Sequence, residues 1–216
     1  MVPRCQPTRN PKLLKPIADL EFFEDRHTYR YKGRWLPYSV SRIAQPTTEE
    51  ERAKFDATKH IWGPRGTTVH AVLEGYLTGQ NVADRGEYSS WCDAMLGHWL
   101  FDGCMVEAVE YRLCDARKGI GGSFDFLLTT SKGTRILGDL KTVGSDSQVK
   151  SRKSAKAQLG GYLAMLIDHY PNVTVQKCCT LVVGPTQTRL ISEEPNDCLG
   201  AWVDAWDAFK LLECPF

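Results

Sequence analysis

Two acids and a lysine are the residues of this chain best placed to do chemistry. Asp125 lies inside the apolar run Phe124–Leu128, Asp139 lies inside Ile136–Leu140, and Lys141 follows Asp139 by one turn of the pleat. A charge among such neighbours is costly unless something compensates it. If the two runs pair as antiparallel strands across the turn Ser131-Lys132-Gly133, the carboxylates stand side by side. The two-residue period then puts Asp139 and Lys141 on one face. Carboxylates held that close repel, and a hard divalent cation relieves the repulsion while keeping waters and substrate phosphates as its other ligands. An ammonium beside it orients a water and offsets charge on a phosphate. The chemistry these residue types suit is metal-assisted hydrolysis of a phosphate ester. The competing reading is a same-face ion pair on a strand, worth about 0.5 kcal/mol.

Several elements must position this group. Pro-rich residues 1–18 read as an irregular arm, followed by a small β-meander through Glu21–Glu24, Thr28–Tyr31 and Trp35–Leu36. A short helix from Ser39-Val40-Ser41 ends near Pro46. Another runs from Thr47-Thr48-Glu49-Glu50 to about Trp62, closed by Pro64. Apolar spacing predicts further helices from Arg65 to Gly79 and from Ala83 to Phe101. Strands are expected over Met105–Leu113, Gly121–Thr129 and Gly133–Val143, then a long helix over Ser147–Tyr170, strands Val173–Val183 and Thr186–Ile191, and a closing helix Asp197–Leu212. This order describes an α/β protein with a mixed central sheet flanked by helices. Trp91, Trp99, Trp202 and Trp206 fall at helical spacing and read as core.

Asp125, a spacer and Asp139-Leu140-Lys141 resemble the signature of the PD-(D/E)XK nucleases. Three further segments resemble the RecB-like branch of that superfamily: Arg65-Gly66-Thr67-Thr68-Val69-His70 its N-terminal helix motif, Val109-Glu110-Tyr111 its upstream glutamate, and Gln158-Leu159-Gly160-Gly161-Tyr162 its Q-x-x-x-Y helix. D-x-K alone arises by chance, whereas four motifs in the expected order are specific. The meander with Tyr29, Gly33, Trp35 and Ser39-Val40-Ser41 is similar to that of phage-encoded and mitochondrial exonucleases of this group. Gly138 departs from the family's proline-acid neighbourhood.

The resemblance implies a restriction-endonuclease-like αβββαβ core over 63–216, capped by an arm, β-meander and helices over 1–62. It implies one or two Mg²⁺ or Mn²⁺ ions held by His70, Asp125, Asp139 and the Leu140 backbone carbonyl, with Glu110 reaching a second ion. Lys141 would position the attacking water, and Gln158 and Tyr162 would position substrate or the lysine; their spacing places both on one helical face. The implied activity is a DNA exonuclease acting on a free single- or double-stranded end. The alternatives are a silent nucleic-acid-binding scaffold of the same fold and a structure-specific endonuclease. Glu107, close to Glu110, competes with it for exposure on the strand.

Charge bears on the DNA partner. Lys and Arg total 27 against 26 for Asp and Glu, so no global basic field exists and any attraction to a polyanion must be local. Lys150, Arg152, Lys153 and Lys156 sit in a stretch without an acid, just before Gln158; with Arg65 they are the expected phosphate contacts. Tyr29, Tyr31 and Trp35 are candidates to line a single-strand entrance. The eight cysteines form no C-x-x-C unit, which argues against zinc and against an Fe–S cluster and leaves them as small buried hydrophobes. Prolines interrupt the first 20 residues and no run suits a membrane span. The expectation is a cytoplasmic protein of a cell or a phage-infected host, not secreted, with no obligate protein partner deducible.

Overall fold

The computed structural model describes residues 6–9, 14–80 and 84–213. A two-residue strand, β1 (Thr8–Arg9), precedes an antiparallel meander of β2 (Leu20–Phe23), β3 (Thr28–Tyr31) and β4 (Arg34–Leu36). The aromatic runs of the sequence lie in these strands. After β5 (Tyr38–Ser39), the Ser39 hydroxyl accepts the N–H of Arg42 and caps α1 (Val40–Ala44).

Next comes α2 (Glu49–Thr78), a single helix of 30 residues where the sequence predicts two parted at Pro64. Thr48 and Glu51 close a capping box at its start. The helix carries Pro64 because Gly63 offers the pyrrolidine ring no Cβ to clash with. The carbonyl of His60, which loses its donor there, belongs to an exposed residue that water can reach. The expected boundary between residues 62 and 63 therefore falls inside a helix.

The helix expected over Ala83–Phe101 is also different. It is a 3-10 turn at Gly86–Tyr88, α3 (Ser89–Leu96) and a second 3-10 turn at Trp99–Phe101, where His98 Nδ1 takes the N–H of Leu100. Ala83 itself lies outside the described residues, as do Cys5 and Cys214.

Three consecutive antiparallel strands follow, β6 (Met105–Asp115), β7 (Ile120–Thr129) and β8 (Arg135–Thr142). The long helix expected next is two, α4 (Asp146–Ser151) and α5 (Lys156–His169). The break has a partner: the N–H of Ala155 donates to the Thr180 hydroxyl at 2.9 Å. Then β9 (Lys177–Val183) pairs parallel to β8, β10 (Thr188–Glu193) pairs antiparallel to β9, and α6 (Pro195–Glu213) closes the chain. The seven-stranded mixed sheet runs β1-β6-β7-β8-β9-β10, with β5 also beside β7.

Both faces of the sheet are buried. Leu127, Leu137 and Cys178 pack against Leu159, Leu163 and Leu166 of α5 and Trp202 and Phe209 of α6. On the other face Leu128, Ile136, Leu140 and Leu181 meet Val69, Val72, Leu73 and Leu77 of α2 and Met95 of α3. At Gly160 a Cβ would lie 1.9 Å from the carbonyl oxygen of Cys198, so the glycine is what lets α5 and α6 approach. Cys92, Cys104, Cys114, Cys178, Cys179 and Cys198 are free and buried, in keeping with their reading as hydrophobes. Trp99, expected in the core, is 62% exposed. Among the described residues no helix is long and apolar enough to cross a membrane.

Candidate metal centre

A fork in the sheet makes the site. β7 and β8 pair from Thr129↔Arg135 to Phe126↔Gly138 and then part, while β5 takes the other end of β7. A Cβ on Gly138 would sit 1.9 Å from the Phe126 ring, so the residue at the parting point has to be glycine. Past it, the Asp125 carboxylate reaches across and accepts the backbone N–H of Leu140, taking the place of the lost ladder bond. A cleft of about 650 Å³ opens over the fork, between α2, the meander and α5.

Two slips in strand alternation aim the acids into it. Val109 packs with the α2 face, and Glu110, the next residue, also turns to α2, where it meets His70. Glu110 manages this with φ of 44°, a left-handed backbone that costs of order 1–3 kcal/mol for a non-glycine residue. Opposite it, Asp125 and Phe126 likewise both face α2. Strict period-two alternation would have sent one of each pair to the other side. Glu107, the competing acid, is tied to Arg135 at 2.8 Å and to Thr129 at 2.6 Å, away from the cleft.

His70 Nδ1 stands 3.2 Å from Glu110 Oε1 and 3.3 Å from Asp125 Oδ1. One ligand atom from each of His70, Glu110 and Asp125 falls within 4.8 Å of the others. Asp139 does not join this trio. By alternation it belongs with Leu137 on the α5 face, where Lys141 Nζ lies 2.8 Å from its Oδ2 and 3.1 Å from its Oδ1. The Lys141 ammonium thus contacts both oxygens of the buried Asp139 carboxylate. Gln158 Nε2 donates to the Tyr162 hydroxyl at 2.7 Å, and both residues line the cleft.

Charge is finely divided here. Burial opposes an imidazolium at His70, yet the carboxylates of Asp125 and Glu110 outweigh it and hold its pKa well above the ordinary value. Burial also pushes Asp125 up, but His70, Lys141 and the Leu140 N–H together leave it below the usual carboxyl range. At Glu110 and Asp139 burial prevails, over the His70 hydrogen bond in the first and over Lys141 in the second, and both pKa values rise. Burial, with Asp139 nearby, keeps Tyr162 protonated far above its ordinary range.

A divalent cation fits these donors. One imidazole nitrogen and two carboxylates converge, and carboxylate with imidazole suits hard to borderline ions. Such an ion would replace the proton that His70 now shares between the two acids.

The expected phosphate contacts fare differently. Lys150, Arg152, Lys153 and Lys156 do not line the cleft, and Lys156 reaches Glu193 at 3.5 Å and Asp197 at 3.6 Å. Arg65 is buried over the Trp91 ring and donates to Thr142 Oγ1 at 3.4 Å. Of Tyr29, Tyr31 and Trp35, only Tyr29 lines the cleft. The wall also holds residues with no motif to announce them, among them Phe22, His27, Lys59, Trp62 and Arg112.

No family model and no curated protein matches the chain. Among solved structures, the crystal structure of SSO0001 aligns over 80% of this chain and 75% of its own, with a TM-score of 0.44 and 17% sequence identity.

Proposed function

We propose that this protein is a metal-dependent deoxyribonuclease, hydrolysing DNA phosphodiester bonds from a strand end. The observation that carries the reading is the meeting, in one cleft, of the His70–Glu110–Asp125 cluster with the Asp139–Lys141 pair across the fork. The PD-(D/E)XK resemblance of the sequence supports it, and the preference for a strand end rests on the likeness to phage-encoded and mitochondrial exonucleases.

When bound, a Mg²⁺ or Mn²⁺ ion acidifies water and neutralises charge gathering on the phosphate oxygens. His70, Glu110 and Asp125 would hold it, with Asp139 lining the same cleft beside Lys141. Lys141 orients the attacking water and offsets charge on the phosphate, and Asp139 fixes the ammonium for that task. Because Gln158 donates to the Tyr162 hydroxyl, the hydroxyl's own proton is available to a substrate oxygen or to Asp139. Water oxygen bonds to phosphorus, the bond to the departing sugar oxygen breaks, and the proton given up by water is balanced by one gained at that oxygen.

The test is incubation of labelled linear and covalently closed circular DNA with Mg²⁺, with Mn²⁺ and with chelator. Metal-dependent nucleotide release from the linear substrate, with the circle intact, is expected. No release from any linear DNA in either metal sinks the proposal, and cutting of the circle replaces the exonuclease with an endonuclease.

A further inference from the structure

The cleft walls show where a strand would be gripped, on the basis that the protein is a nuclease. Four cations line the cleft, Lys59, His70, Arg112 and Lys141; burial, with Lys59 nearby, lowers the pKa of the His27 imidazole, which is not one of them. His70 and Lys141 are committed to carboxylates. Lys59 and Arg112 have no carboxylate partner among the described residues, and each stands beside an aromatic ring. The Arg112 guanidinium lies 5.1 Å over the Phe22 ring, which itself meets the His27 ring edge-on at 5.2 Å. Across the cleft, Lys59 and Trp62 are neighbours on α2.

That helix has an unusual first half. Residues 49–62 are exposed throughout, so the segment stands clear of the sheet, and Phe55, Lys59, Trp62, Gly66 and His70 follow one another at three- and four-residue steps along one face. Trp62 is 39% exposed and Phe55 55%, with their rings edge-to-face at 6.4 Å. From Trp62 to His70 the axis advances about 12 Å. The stripe thus leads from solvent to the metal cluster.

We infer that an unpaired DNA strand enters between Trp62 with Lys59 on one wall and Arg112, held over the Phe22 ring, on the other, a base stacked on Trp62 and phosphates on the two cations, with its end directed to His70. Unpaired bases are required because a ring can stack only on a base face that is not already covered, as it is in a duplex. Glu24 and Glu74 line the same cleft, so the attraction is confined to two points and is not a uniform positive wall. The basic run at 150–156 has no part in it.

Binding of a short labelled single-stranded deoxyoligonucleotide, followed by fluorescence anisotropy in chelator, tests this without any cleavage. Trp62→Ala is expected to weaken binding by about tenfold or more while Trp62→Phe largely restores it. Lys59→Ala and Arg112→Ala should each lower the slope of log affinity against log salt by about 0.7. Lys150→Ala and Lys153→Ala should bind as wild type, and blunt duplex should compete poorly. All the substituted side chains reach the surface, so the variants fold. Failure of the wild type to bind the strand, unchanged binding by the Trp62, Lys59 and Arg112 variants, or equal competition by duplex overturns the inference. The two readings fail separately: a wild type that hydrolyses DNA while these variants keep its affinity loses the clamp alone. One that binds the strand with the expected losses but cuts nothing loses the nuclease alone.

Discussion

Asp125 on β7 accepts the backbone N–H of Leu140 on β8 at the point where the ladder between the two strands has ended. The same carboxylate faces His70 with its other oxygen, 3.3 Å away. Fold and site therefore share one side chain. Asp125→Ala leaves a buried N–H without an acceptor and should cost about 1–3 kcal/mol in urea unfolding. Asp125→Asn keeps an oxygen for Leu140 and loses only the charge that faces His70, so it should lose less stability than Asp125→Ala, yet lose the metal. Equal stability losses in both variants would mean that the Leu140 bond contributes nothing.

Metal binding should register as stability. A cation that binds only the folded chain adds about 2.7 kcal/mol at a hundred times its Kd, so thermal unfolding with Mn²⁺ should shift upward in wild type. The shift should vanish in His70→Ala and Asp125→Asn, and the affinity should rise with pH as the cation displaces a proton. An unchanged shift in both variants would place the ion elsewhere.

In chelator, His70 should make stability depend on pH. Its folded pKa is held above the unfolded value of about 6.5 by Asp125 and Glu110, against burial. That stabilisation is fully present below about pH 6.5 and is lost as pH rises through the folded value. The stability gap between wild type and His70→Asn should therefore close with rising pH; a gap that stays constant from pH 6 to pH 9 would show that the imidazolium is not paired.

Gly138→Ala tests the fork. Its Cβ would meet the Phe126 ring at 1.9 Å, and relief requires moving a fully buried ring in a packed core. The expected loss is about 1–3 kcal/mol, from overpacking, read as a lowered midpoint in thermal unfolding. A neutral result would mean that the strands part for some other reason.

Much of this site can be read from the sequence because its elements are local patterns. Asp139 and Lys141 share a strand face, and Gln158 and Tyr162 share a helix face, through fixed spacing alone. Glu110 is different: its approach to His70 depends on one left-handed residue that breaks the alternation a sequence reading must assume. Pro64 misleads for a similar reason, since the glycine before it removes the clash that ends most helices. Phe22, Lys59, Trp62 and Arg112 belong to elements far apart in the chain, and only the packing of α2 against the sheet brings them to one cleft. The basic run at 150–156 shows the reverse: a strong local pattern that the break between α4 and α5 leaves outside the cleft.

The most direct measurement is the turnover of linear DNA at saturating Mn²⁺ by wild type and Lys141→Ala, side by side. A nuclease that depends on Lys141 releases nucleotides as wild type and falls by about 10²–10³ in kcat as the variant, with the melting temperature in chelator little changed. Equal rates in the two proteins, or no release by either, would contradict that dependence.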